Sequence, residues 1–259
     1  MKIAILGAGA FGTALGDVLI KNGALIEYYD PMISDKSLED VLSGAEMIVL
    51  CVPSKVVSQL LPMLPHDIPL IIATKGLLDD KLFVDFNDYM VISGPGFAVD
   101  IKAAKPTKLT ATDKRIVELF ETDYLSFDMT DDRCGVLMCG ALKNVYAIRA
   151  GLMALERESD SWNDFIDEVV QEMKEVLAVN DAKAERVDLV CGVGDLKLTC
   201  GYPSRNHEFG DKLRLDENYK SEKTVEGLSA LARIRDGEIV VPDNAVILKQ
   251  LMEDSLKWA

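Results

Sequence analysis

Residues 1–22, MKIAILGAGAFGTALGDVLIKN, hold the decision about the fold. Lys2 to Leu6 is a short apolar run, with Ile3 and Ile5, that enters Gly7, Gly9 and Gly12, and Thr13 to Asn22 then has helical spacing. Strand, glycine turn and helix follow in that order. The glycines match GxGxxG: the first permits a tight turn, the second lets a pyrophosphate approach the backbone, and the third allows close helix packing. Alone the match is weak, because the glycines of any tight βα turn satisfy it. Its context is complete, however, since a strand precedes it, a helix follows, and Asp30 closes the next apolar run about 20 residues on. A dinucleotide site is expected. Asp30 can accept hydrogen bonds from both adenosine ribose hydroxyls and would repel a 2′-phosphate, so NAD is favoured and NADP disfavoured. A plain turn role before Pro31 is the competing reading.

Outward from this unit, Leu25 to Tyr29, Met47 to Val52, Leu70 to Ala73 and Tyr89 to Ile92 read as strands, with helical patterns at Leu38 to Ser43 and Val56 to Leu64. This alternation predicts an α/β fold with a Rossmann-type, parallel, doubly wound sheet. Beyond Thr130 the pattern changes to long helices, at Cys134 to Leu155, Trp162 to Val179 and Thr224 to Arg235. The predicted organisation is a dinucleotide-binding domain over residues 1–129 and an all-helical substrate-binding domain over residues 130–259, with the active site in the cleft between them.

The 259 residues, 49% of them hydrophobic, can bury a substantial core. Apolar runs such as Met47 to Val52 fall far short of the roughly 20 residues that cross a bilayer, and the N-terminus enters the glycine turn without a signal-peptide cleavage site. A cytoplasmic protein without stable membrane association is expected. Five cysteines without a CxxC pair fit reduced, mostly buried thiols. The net charge of −15 disfavours nucleic acid and anionic lipid as partners, and it requires any anionic ligand to be held by a locally basic pocket. His66 falls in a Pro-His-Asp turn and His207 reads as an exposed loop residue, so no metal site is legible.

Eight blocks recur in the order that resembles the soluble NAD(P)-dependent glycerol-3-phosphate dehydrogenases. They are GAGAFGTALG (7–16), CVPS (51–54), ATKGL (73–77), SGPGFA (93–98), GALKNVYAI from Gly140, GVGDLKLTC from Gly192, SRN (204–206) and VEG (225–227). The resemblance implies an oxidoreductase that interconverts sn-glycerol 3-phosphate and dihydroxyacetone phosphate with NAD(H), supplying glycerol 3-phosphate for phospholipid synthesis. It implies that Lys143 is the catalytic lysine. A lysine buried among small and apolar neighbours holds its proton less firmly, which suits a group that both donates and accepts one. Asp195 and Thr199, four residues apart on one helix face, resemble the family's pair, with Asp195 holding Lys143 and a substrate hydroxyl. A helix N-cap by Asp195 is the competing reading. Asn144 would orient the substrate oxygen. Arg205 and Asn206, with Ser204, resemble the phosphate-binding segment, for which an arginine fork is suited. Lys75 lies just after a strand, at the edge where ligands of such sheets bind, and resembles a lysine that touches cofactor and substrate. Gly94 and Gly96 fall on the substrate side of that resemblance. Gly7, Gly9, Ala10, Phe11, Gly12, Asp30, Pro53, Ala98, Arg205 and Glu226 fall on the cofactor side. A small phosphorylated substrate follows as the partner, with a homodimer as the candidate assembly.

Three features depart from the family pattern. The connection from Asp30 to Leu38 is very short where relatives carry an additional segment, and Gly96 stands where they generally have Ser or Thr, removing a hydroxyl from the substrate side. The C-terminal helices after PDNAV (242–246) are expected to be abbreviated. Two rival readings remain: a dehydrogenase resembling the ketopantoate reductases, for which SRN would be incidental, and a dinucleotide sensor without turnover, against which Lys143 and Asp195 argue.

Overall fold

The computed structural model describes residues 1–33, 35–77, 79–201 and 204–258. The chain divides into two compact units, one of Met1–Lys75 with Asp80–Arg133 and the other of Gly76–Asp79 with Cys134–Ala259.

The first unit is a seven-stranded sheet in the order β2-β1-β3-β4-β5-β6-β7. Its elements run β1 (Lys2–Leu6), α1 (Ala10–Lys21), β2 (Leu25–Tyr29), α2 (Leu38–Leu42), β3 (Met47–Leu50), α3 (Ser54–Leu60), β4 (Leu70–Ile72), β5 (Tyr89–Ser93), α4 (Ala98–Lys102), β6 (Thr107–Ala111), α5 (Lys114–Phe120) and β7 (Leu125–Met129). The five strands read from sequence are present and pair in parallel. Two further strands extend the sheet, and β6 runs antiparallel to β5 before pairing in parallel with β7. Ile3, Ile5, Val49, Ile71, Met90 and Ile92 form one core with Leu15 and Val18 of α1, Ile101 of α4, and Ile116 and Phe120 of α5. The alternate residues Ala4, Leu6, Ile48, Leu50, Leu70 and Ile72 are also fully buried. Strands covered on both faces need apolar side chains at every position, which is why these runs are continuous rather than alternating.

Chain order along the sheet reverses between β1 and β3, so the crevice beyond their carboxyl ends is where such sheets bind ligands. In register, Leu6 lies opposite both Tyr29 and Leu50, which brings the glycine turn, Asp30 and Cys51 to one edge.

In the second unit the main helices are α6 (Arg133–Met153), α7 (Asp160–Ala178), α8 (Asp195–Cys200), α9 (Arg205–Leu215), α10 (Glu226–Arg235) and α11 (Val246–Asp254). Helix α6 is buried continuously from Gly135 to Ile148, so it packs on every side rather than along one stripe. By length and hydropathy it could cross a membrane, unlike the short runs weighed from sequence. With 83% of its apolar window buried, it is the core helix of this unit. Glycines let other helices reach it. A Cβ on Gly210 would lie 2.1 Å from the Ile148 carbonyl oxygen, and one on Gly151 2.1 Å from that of His207, so α9 and α6 cross in backbone contact. Gly227 brings α10 close to Asn144, since a Cβ on it would lie 2.5 Å from the Asn144 carbonyl oxygen. Helix α11 is anchored by Glu172, a buried carboxylate that accepts hydrogen bonds from Tyr146 Oη and from the backbone N–H groups of Ile247 and Leu248 at the helix start.

Candidate active site

In the first unit the turn between β1 and α1 is built so that only glycine fits at two of its three positions. Gly7 has φ +100°, where an L side chain is strained, and a Cβ there would lie 2.7 Å from the Cys51 carbonyl oxygen. A Cβ on Gly12 would come within 2.1 Å of the Gly7 carbonyl oxygen, so this glycine sets how closely α1 approaches the turn. Gly9 differs, since a Cβ there would meet nothing within 4 Å. Packing does not demand glycine at position 9, whereas a ligand approaching the backbone at the start of α1 would. Gly9 is also the N-cap of α1 and supplies no side-chain cap, leaving the positive helix end open ahead of Ala10 and Phe11.

Asp30 takes the turn role weighed for it. Its Oδ2 accepts a hydrogen bond from Ala8 N–H at 3.0 Å, and its Oδ1 one from Met32 N–H at 3.1 Å. The carboxylate thus pins the glycine turn and closes an Asx turn, and it retains acceptor capacity at the end of β2. Cys51 lies beneath the turn, and burial pushes its thiol up to about 12, which makes it an inert packing group. Pro53 caps α3, Ala98 opens α4, and Lys75 lies beyond β4 with its Nζ 4.9 Å from the centroid of the Phe11 ring. Gly94 has φ +142°, with Leu109 Cα 3.1 Å from where its Cβ would be. A Cβ on Gly96 would meet Leu109 Cδ2 at 3.0 Å and Phe11 Cε2 at 3.7 Å, so side chains fill the space beside this glycine. Gly7, Gly9, Ala10, Phe11, Gly12, Asp30, Pro53, Lys75, Gly96 and Ala98 therefore all belong to the first unit.

The second unit gathers the remaining candidates around α6. Lys143 Nζ stands 2.5 Å from Asp195 Oδ2, with the two side chains 3% and 2% exposed. Thr199 Oγ1 donates to Asp195 Oδ1 at 3.3 Å. Asp195 does not cap a helix start: the residue before it, Gly194, is helical, and a π-helical turn over Val190–Gly194 leads directly into α8. Such turns are frequent at functional sites. Here Gly192 permits one, since a Cβ on it would lie 2.2 Å from the Val187 carbonyl oxygen. Cys200 is buried beside the ion pair, and burial drives its thiol well above the ordinary range.

Asn144, next to Lys143, donates through Nδ2 to the Gly140 carbonyl at 3.0 Å and accepts at Oδ1 from Asn206 Nδ2 at 2.8 Å. Asn206 Oδ1 in turn accepts the Gly227 N–H at 2.9 Å. This chain of amides ties α6, α9 and α10 together. Ser204 is the N-cap of α9, accepting from His207 N–H at 3.3 Å. Arg205, unlike Asn206, is exposed and lies on the neighbouring face of α9. Glu226 opens α10, directly before the glycine that Asn206 holds. His207 departs from its expected surface-loop position. It lies within α9, half-buried, and desolvation lowers its pKa. Sequence reasoning assigned the VEG block to Glu226 and overlooked Gly227, although a glycine at a helix start is a signal for close backbone approach.

An ammonium and a carboxylate excluded from water, with a hydroxyl and two ordered amides nearby, suit proton delivery to an oxygen that gains charge during reaction. The glycine turn suits a pyrophosphate.

Comparison with known proteins agrees with these two halves. A family model described as NAD-dependent glycerol-3-phosphate dehydrogenase N-terminus matches residues 26–117, and one for the C-terminus of the same family matches residues 132–238. A glycerol-3-phosphate dehydrogenase [NAD(P)+] of Desulfotalea psychrophila is 30% identical, covering 93% of this chain and 90% of the relative. The crystal structure of glycerol-3-phosphate dehydrogenase from Coxiella burnetii superposes with a TM-score of 0.77 at 26% identity, covering 98% and 95% of the two chains. A ketopantoate reductase from Staphylococcus aureus shares the fold at a TM-score of 0.55 and 15% identity, covering 99% of both chains.

Proposed function

Because the chain belongs to the NAD-dependent glycerol-3-phosphate dehydrogenase family, we propose that it is an NAD(P)-dependent oxidoreductase interconverting sn-glycerol 3-phosphate and dihydroxyacetone phosphate. The buried Lys143–Asp195 pair is the observation that carries this reading, because a sensor would gain nothing from an ion pair that is costly to desolvate. The first unit holds the dinucleotide through Gly7, Gly9, Ala10, Phe11, Gly12 and Asp30, with Pro53, Lys75 and Ala98 nearby, and the second supplies the substrate groups. When bound, the dinucleotide supplies or accepts the hydride at the substrate carbon.

In the reducing direction charge develops on the ketone oxygen, and Lys143 Nζ donates a proton to it. Asp195 holds the ammonium in place with one oxygen and, with Thr199, offers acceptors to a substrate hydroxyl. Asn144 and Asn206 orient the oxygenated carbons, and Arg205 clasps the phosphate with Ser204 beside it. In the oxidising direction Lys143 takes the hydroxyl proton back. Asp30 favours NAD over a 2′-phosphorylated cofactor by charge repulsion. We further infer a cytoplasmic setting, supported by five free thiols, and a role in supplying glycerol 3-phosphate for phospholipid synthesis. A homodimer is the assembly we would look for first. Reduction of NAD on addition of glycerol 3-phosphate, but not of glycerol, tests the reaction. Equal rates with the two would remove the phosphate from the account.

A further inference from the structure

A cavity of about 380 Å³ opens along α9, and its lining runs against the charge of the chain. Four cationic side chains, of Arg205, Lys212, Lys220 and Lys223, line it with the carboxylates of Glu208 and Glu222. That is an excess of two positive charges in a chain whose net charge is −15. Arg205, Glu208 and Lys212 lie three to four residues apart, so they share one face of α9, and the segment from Tyr219 to Lys223 forms the facing wall.

The cavity's cations are held in place to different degrees. Lys212 is fixed by Glu208 at 2.9 Å and by the Tyr219 hydroxyl at 3.5 Å, and Lys220 donates to the Trp258 carbonyl at 3.1 Å. With Lys212 paired to Glu208, the positive excess comes from Arg205, Lys220 and Lys223 set against Glu222. Phe209 packs with the Tyr219 and Trp258 rings at centroid distances of 5.9 and 6.3 Å, which stiffens the floor. The size falls within the range of small-molecule pockets, and an arginine with a nearby lysine matches the geometry of phosphate oxygens.

We propose that this cavity is an accessory site for a phosphorylated small molecule. Arg205 borders it, so on the reading of Arg205 as a substrate-phosphate ligand, the occupant competes with substrate for that arginine and raises its apparent KM without touching Lys143.

Calorimetric titration of pyrophosphate into the protein saturated with NADH tests the proposal, the NADH covering the dinucleotide's own anion site. One saturable event is expected, accompanied by a change in tryptophan fluorescence from Trp258. The Lys212→Gln, Lys223→Gln double variant should bind at least tenfold more weakly, with its circular dichroism unchanged. The proposal is overturned by an absence of saturable binding, or by binding that the double variant keeps while Arg205→Gln loses it, which would place the anion at the substrate phosphate position alone. Because the titration needs no turnover, failure of the proposed reaction and failure of this site are separate results.

Discussion

Lys143 of α6 and Asp195 of α8 meet at 2.5 Å inside the second unit, and each is all but withdrawn from water. Removing either partner leaves a buried charge unpaired, a loss that typically costs about 3–5 kcal/mol. Lys143→Ala should therefore lower both the melting temperature and turnover, the latter by about 10²–10⁴-fold for a lost general acid. Dinucleotide affinity, measured by fluorescence titration, should be unchanged, because the glycine turn belongs to the other unit. Equal loss of cofactor binding would contradict the role assigned to this lysine.

Arg205 is exposed and should matter little to stability. Arg205→Ala should lower kcat/KM for dihydroxyacetone phosphate mainly by raising KM, by about 10–100-fold if one charge-assisted interaction of roughly 1.5–3 kcal/mol is lost. An effect of equal size on unphosphorylated dihydroxyacetone would show that the arginine does not read the phosphate.

Gly9 and Gly12 separate ligand space from packing space. Gly9→Ala places a methyl in the open, so the melt should shift little while NADH affinity falls. Gly12→Ala drives a methyl against the Gly7 carbonyl oxygen and should cost about 1–3 kcal/mol or more in chemical denaturation. If Gly9→Ala bound NADH as tightly as the parent, the turn would not be approached by the cofactor at that point.

Tyr146 is fully buried, and burial followed by the Glu172 carboxylate raises its pKa well above 10.0. A group whose folded pKa is raised contributes stability that is complete below its unfolded pKa, near 10 for tyrosine, and is lost as pH climbs toward the folded value. Stability should fall above about pH 10, and Tyr146→Phe should remove this part of the alkaline decline while lowering stability at neutral pH by about 1 kcal/mol. An unaltered alkaline limb in Tyr146→Phe would assign the decline to other groups.

Strands β1 and β3 to β5 were legible because their apolar runs are nearly continuous, and β2 (LIEYY), interrupted by Glu27 at the sheet edge, because Asp30 and Pro31 close it. By contrast, β6 (TKLTA) and β7 (LSFDM) mix polar and apolar positions, and although Pro106 marks the start of β6 neither run reads as a continuous apolar strand, so the sheet looked two strands shorter than it is. The glycine turn and Asp30 could be read from spacing, since their relation is local to one βαβ unit. The hydrogen bond from Asn206 to Asn144 joins residues 62 apart, and only the packing of α9 on α6 through Gly151 and Gly210 creates it. The π-helical turn that delivers Asp195 has no sequence signature beyond Gly192 and Gly194. His207 looked like a loop residue because Ser204, which starts its helix, was read for phosphate binding rather than as the N-cap it is.

The most direct measurement is the fall in NADH absorbance when the purified protein meets dihydroxyacetone phosphate, with NADPH and unphosphorylated dihydroxyacetone run in parallel. The expected result is oxidation of NADH that requires the phosphate and falls by about a hundredfold or more in Lys143→Ala. Demonstrable NADH binding without phosphate-dependent oxidation would contradict it.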